Sequence, residues 1–176
     1  MNNKMMKELI KAANEGDVEA QSNLGGMYES DGYVKKALFW HFKAAKKGNY
    51  SSQLSLGLIY SLGKRIANGV EKDDEMAIYW YLKAAKQGGA DAQSCLGEAY
   101  YGTKQDFGKA LFWYLEAAKQ GYVNAQFNSA SMYLYGKGTK RDIKKALYWY
   151  SEAAKRGDTE SQKAILEITQ FRSFAA

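Results

Sequence analysis

Residues 82–102 read LKAAKQGGADAQSCLGEAYYG, and nearly the same words recur along the chain. Residues 43–60 are KAAKKGNYSSQLSLGLIY, residues 116–133 are EAAKQGYVNAQFNSASMY, and residues 12–28 and 152–162 echo them. Three residue types keep one register: Trp40, Trp80, Trp113 and Trp149; Gly16, Gly48, Gly88, Gly121 and Gly157; Gln21, Gln53, Gln93, Gln126 and Gln162. The spacings lie between 32 and 40 residues, the range of helical solenoids.

Inside one period the pattern is helical twice over. Ala92, Leu96, Gly97 and Tyr100 share one face of a first helix, where Gly97 is expected to admit a neighbouring backbone. Ala110, Trp113, Tyr114, Ala117 and Ala118 form the apolar stripe of a second helix. The closing KQG places a cation in the last turn and a glycine at the C′ position. Asp17, Asp91 and Asp158 are expected to cap first helices, and Asp73 and Asp142 second helices.

A hairpin cannot bury both of its apolar faces alone, so such units must stack. The expected architecture is all-α, a right-handed solenoid of stacked αα-hairpins with about ten helices. It is a single repeat domain over residues 1–176. A leading half repeat (1–16) precedes full repeats at 17–48, 49–88, 89–121 and 122–157, and a closing half repeat spans 158–176. The terminal FRSFAA is either an apolar cap or a loose end.

The chain has 176 residues, no proline, 17 glycines and one cysteine, so no disulfide framework within the chain is expected. No signal-like apolar run opens it and no stretch approaches the ~18 apolar residues of a membrane helix, which reads as a cytoplasmic protein. Its formal net charge is +6.

The segments DAQSCLGEAY, YGKGTKRDIKKALYWYSEAAKRGD and NGVEKDDEMAIYWYLKAAKQGGADAQ resemble the Sel-one-like repeat, a relative of the tetratricopeptide repeat. Ser129 and Ala130 depart from the family's Leu-Gly pair, Thr169 from its tyrosine, and the first and third repeats lack its longer loop. The resemblance implies an adaptor that holds other proteins, with first helices lining a concave face. It also implies an alternative, an immunity protein that neutralises a cognate bacterial toxin. A cysteine-rich branch credited with β-lactamase activity carries paired cysteines that are missing here.

On that pattern the partner-binding positions are Glu19, Ser22, Glu29, Leu54, Leu58, Asp91, Glu98, Tyr101, Phe127, Leu134, Tyr135 and Glu167. Ser94 is placed on the same exposed face. The five first-helix segments, 17–30, 50–62, 90–101, 123–135 and 158–170, hold eight acids against one base, Lys163. They therefore carry −7 and the remainder of the chain +13. An acidic, partly apolar groove would attract a partner protein or peptide with a basic segment.

Catalysis finds little footing. His41 is the only histidine, which rules out a histidine metal cluster and reads as a packing residue, and no phosphate loop or dinucleotide fingerprint is present. Cys95 has no histidine near it in sequence to lower its pKa. The expectation is no catalytic residue, no cofactor and no metal, with a monomeric chain. The lysines on second helices suit helix C-termini, so nucleic-acid binding is a minor alternative, and no such motif occurs.

Overall fold

The computed structural model describes residues 3–63 and 70–174, and among them ten helices and no strand. They are α1 (Asn3–Glu15), α2 (Val18–Ser30), α3 (Val34–Lys46), α4 (Tyr50–Leu62), α5 (Asp74–Ala85), α6 (Ala90–Gly102), α7 (Phe107–Lys119), α8 (Val123–Tyr135), α9 (Ile143–Ala154) and α10 (Thr159–Phe174). The chain forms two compact units, residues 1–87 and 88–176. Within each unit every helix packs on the next. Part of the long loop before α5 and the side chains of FRSFAA lie outside the described residues.

The helix boundaries follow from local chemistry. Asp17 Oδ1 accepts the Ala20 N–H at 2.6 Å, and Asp158 Oδ2 accepts that of Ser161 at 2.8 Å. Asp73 and Asp142 cap α5 and α9 as expected. Asn49 and Asp106 cap α4 and α7 in the same way, which the sequence reading passed over. The N-cap position of α6 is held by Gly89, and Asp91 instead sits in the helix's first turn, where its carboxylate accepts the Ala92 N–H at 2.8 Å. At the other end, Gly16, Gly48, Gly88, Gly121 and Gly157 hold φ between +86° and +99°, the left-handed turn that glycine makes at little cost.

Each hairpin closes on a small residue beneath a ring. A Cβ at Gly57 would lie 2.4 Å from the Tyr81 ring, and one at Gly97 would lie 2.7 Å from that of Tyr114. The glycine of the first helix therefore admits an aromatic side chain, not a neighbouring backbone. Around these contacts Leu24, Leu56, Leu96, Ala44, Ala84 and Ala117 are fully buried. In α7 it is Leu111 that joins Tyr114 in the core, whereas Trp113 is only half-buried. The ring preceding each tryptophan, Phe39, Tyr79, Phe112 or Tyr148, stays exposed and meets it edge-on.

The recurring glutamine ties one repeat to the next. Gln21 Nε2 donates to the Ala13 carbonyl (2.9 Å), Gln53 to that of Ala45 (3.0 Å) and Gln126 to that of Ala118 (3.1 Å). Gln87 in turn donates to Gln53 Oε1 (2.8 Å), and Gln120 to Gln93 Oε1 (2.9 Å). The buried amide finds its partner in the last turn of the preceding helix, adding a second bond to a carbonyl that already accepts the N–H of the closing glycine. This explains the glutamine's strict register.

Candidate interaction surfaces on the first helices

In unit 1 a hollow of about 1020 Å³ opens on the face made by α1, α2 and the start of α4. Met5, Leu9 and Met27 supply apolar wall, and Ser22, Gly26 and Ser55 are among the small residues lining it. Glu8, Glu19 and Asp31 also line it, and no lysine or arginine does among the described residues.

Beside this hollow lies a polar chain with no counterpart in the other hairpins among the described residues. His41 is 2% exposed; its ring presses on Gly25, Nδ1 lies 3.0 Å from Ser52 Oγ and Nε2 lies 3.2 Å from Glu29 Oε2. Asn49 Oδ1 accepts the Ser52 N–H and the Ser22 hydroxyl, and Ser22 Oγ accepts the Ser52 hydroxyl. With its own proton committed, Ser52 must accept from His41 Nδ1–H, which fixes that side of the ring. The histidine is a packing residue, as expected, but one held by hydrogen bonds. A nucleophile is not on offer, since Ser52 is fully buried and its proton is already donated.

In unit 2 a smaller cleft of about 270 Å³ is lined by Glu98, Asn124, Phe127, Asn128, Asp158 and Glu160. Glu160 pairs with Lys163 at 2.7 Å and Asp158 caps α10, whereas Glu98 has neither an ion pair nor a helix end to cap among the described residues. Although its surface is exposed, the neighbours crowd it enough that desolvation raises its carboxyl pKa. Burial, with help from Glu98 and Asp91, pushes the Cys95 thiol up to about 12, so it is not a reactive thiolate at neutral pH.

The positions expected to bind a partner fall into three groups. Glu19 and Ser22 line the hollow of unit 1, although Ser22, expected to be exposed, is buried and hydrogen-bonded to Asn49 and Ser52, and Glu98 and Phe127 line the cleft of unit 2. Leu58, Tyr135 and Glu167 are exposed on their helices, Tyr135 to 69%. The rest are engaged or partly covered. Glu29 is bound to His41, and Leu54 and Asp91 are half-buried. Leu134 packs on the core of unit 2. Tyr101 meets the Phe107 ring edge-on, and its hydroxyl accepts from Lys137 Nζ at 2.6 Å. Ser94, expected on the exposed face, is buried. Met5 and Leu9 were missed because α1 was read only as a leading half repeat, and their spacing, one helical turn apart, was the available signal; Met27, on α2 next to Gly26, was passed over among the exposed first-helix positions.

Among the described residues no group of three or more metal-ligating side chains occurs, and no helix is long and apolar enough to cross a membrane. Ten helices in stacked hairpins, with hollows on the first-helix side of each unit, define a helical-repeat protein of the all-α solenoid class. The Sel1 repeat family matches at residues 18–49, 51–89, 90–122 and 123–158, and the chain belongs to that family. Its structure is similar to that of a protective antigen of uropathogenic Escherichia coli displaying an SLR fold, with 37% identity and a TM-score of 0.81 over 91% of this chain. A Sel1 repeat protein from Oxalobacter formigenes matches over 96% of it, at 31% identity and a TM-score of 0.77. This chain spans 35% and 50% of the lengths of those two proteins. An immunity protein from Pseudomonas aeruginosa shares the fold at 20% identity over 86% of this chain and 73% of its own, with a TM-score of 0.51.

Proposed function

We propose that this chain is a non-enzymatic protein-interaction scaffold that holds a partner protein or peptide on the first-helix faces of its two units. The observation that carries the reading is common to both units. Each hollow opens on first helices and is lined by carboxylates without a lysine or arginine among the described residues, although the chain as a whole is basic. A surface of that kind favours a partner segment with positive charge, and exposed Leu58 and Tyr135 add apolar contact. The full burial of Ser52, whose hydroxyl donates to Ser22, and the raised Cys95 pKa support a non-catalytic reading.

The test is capture of partners from the native source with three baits: the wild type, a Glu19→Lys/Leu58→Glu variant of unit 1, and a Glu98→Lys/Tyr135→Glu variant of unit 2. All four positions are exposed, so circular dichroism should show folded protein in each case. A protein held by the wild type and lost from either variant supports the scaffold reading, and the variant that loses it identifies the unit. Identical capture by all three baits removes the first-helix faces from consideration. A single partner with very slow dissociation would mark an immunity protein, and several weaker ones an adaptor.

A further inference from the structure

We propose that the hollow of unit 1 is a recognition pocket for a partner segment that pairs a lysine or arginine with apolar side chains. The inference rests on the scaffold reading above and commits it to one place and one chemistry. The chain's own repeats supply the control. Gly26 occupies the position that Leu58, Glu98 and Ser131 hold in the later repeats, and His41 the position of Tyr81, Tyr114 and Tyr150.

These departures act together on one volume. Nothing lies within 4 Å of where a Gly26 Cβ would be, so this glycine relieves no crowding and instead leaves open floor. Gly25, its neighbour, is the one pressed by the ring. The smaller imidazole replaces a phenol, and the network through Ser52 and Asn49 holds Ser22 at the edge of the hollow. A chain that needed only packing here would repeat its tyrosine.

The lining states what fits. Glu8, Glu19 and Asp31 make no ion pair among the described residues, and no base lines the hollow to offset them. Three unpaired carboxylates around a concavity concentrate negative potential over it. Met5, Leu9 and Met27 give an adaptable apolar wall, which suits aliphatic side chains of varied shape. A bare polycation would satisfy only half of this surface, as would an uncharged apolar peptide.

The experiment is a fluorescence-anisotropy titration of the full chain with three labelled amphipathic peptides: leucine–lysine, leucine–glutamate and serine–lysine. Spermine serves as competitor. The wild type is expected to bind leucine–lysine best, with affinity falling as salt is raised. Gly26→Leu, which fills the floor, and Glu19→Lys should each weaken that binding by about tenfold or more. Glu98→Lys in unit 2 should leave it unchanged. Failure of the leucine–lysine peptide to bind overturns the proposal. So does equal binding of leucine–glutamate or serine–lysine, displacement by spermine at matched charge, or unaltered binding by a folded Gly26→Leu chain. The two readings part cleanly. Native capture lost only through the unit 2 variant, with Gly26→Leu silent, leaves the scaffold reading standing without this pocket. Peptide results as expected with no partner lost from either bait variant would do the reverse.

Discussion

The α2–α3 hairpin of unit 1 and the α6–α7 hairpin of unit 2 share one sequence pattern, yet they settle the same problem differently. In the second, the Tyr114 ring covers Gly97, and burial lifts its phenol pKa well above the ordinary range. In the first, an imidazole covers Gly25 and must find hydrogen-bond partners; Ser52 supplies one where Ala20, Ala92 and Ala125 stand in other first helices and Ser161 in the last, and Glu29 supplies the other where Tyr101 and Leu134 stand. A buried apolar ring needs only shape, whereas a buried imidazole needs shape and a satisfied proton inventory. The histidine at position 41 is thus served by two side chains from two different helices.

The comparison can be broken directly. Tyr114→His should be the most damaging exchange, about 2–4 kcal/mol by urea denaturation. It opens a void, and Ala125, at the position of Ser52, offers no hydroxyl to the ring. A loss below about 1 kcal/mol would mean that the hairpins tolerate either ring without local partners.

A double-mutant cycle sharpens the same point. Ser52→Ala should cost about 1–3 kcal/mol while His41 is present, because it strands Nδ1–H, and close to nothing in a His41→Tyr background. Additive losses would show that the hydroxyl and the imidazole act separately.

The smallest expected effect concerns charge. Desolvation raises the Glu98 pKa, so the folded chain keeps that proton to higher pH than the unfolded chain does. Stability from this group is present at low pH and is lost as pH rises through the upper carboxylate range. Glu98→Gln should flatten that part of the profile of urea midpoint against pH. A slope that persists in the variant would assign it to another group.

Much of the fold was legible in the repeat. The tryptophan, glycine and glutamine registers predicted ten helices and their order, because stacked hairpins put the same demand on the same position each time. The candidate surface was legible only in part. Tyr101 and Leu134 have the right residue types on the right helices, but contacts with Lys137, Phe107 and the α9 side of unit 2 engage them. Helical period reports which face a residue occupies and not what covers that face. The walls of the unit 1 hollow went unread for the opposite reason: α1 looked like a mere end piece, yet it supplies Met5, Glu8 and Leu9.

Local chemistry, written in the order of residues, was thus enough for the class of fold, the turns at Gly16 through Gly157, most caps, and the excess of acid on first helices. Those features depend on neighbours within about one helical turn, or on repetition, and both are visible in a string. Tertiary structure alone decided that Gly26 is open while Gly25 is pressed, and that Glu29, His41 and Ser52 form one chain of hydrogen bonds. It also left Glu98 without an ion pair among the described residues, in the cleft it lines. Each of these outcomes turns on which side chains from different helices meet at 3 Å, a distance set by packing.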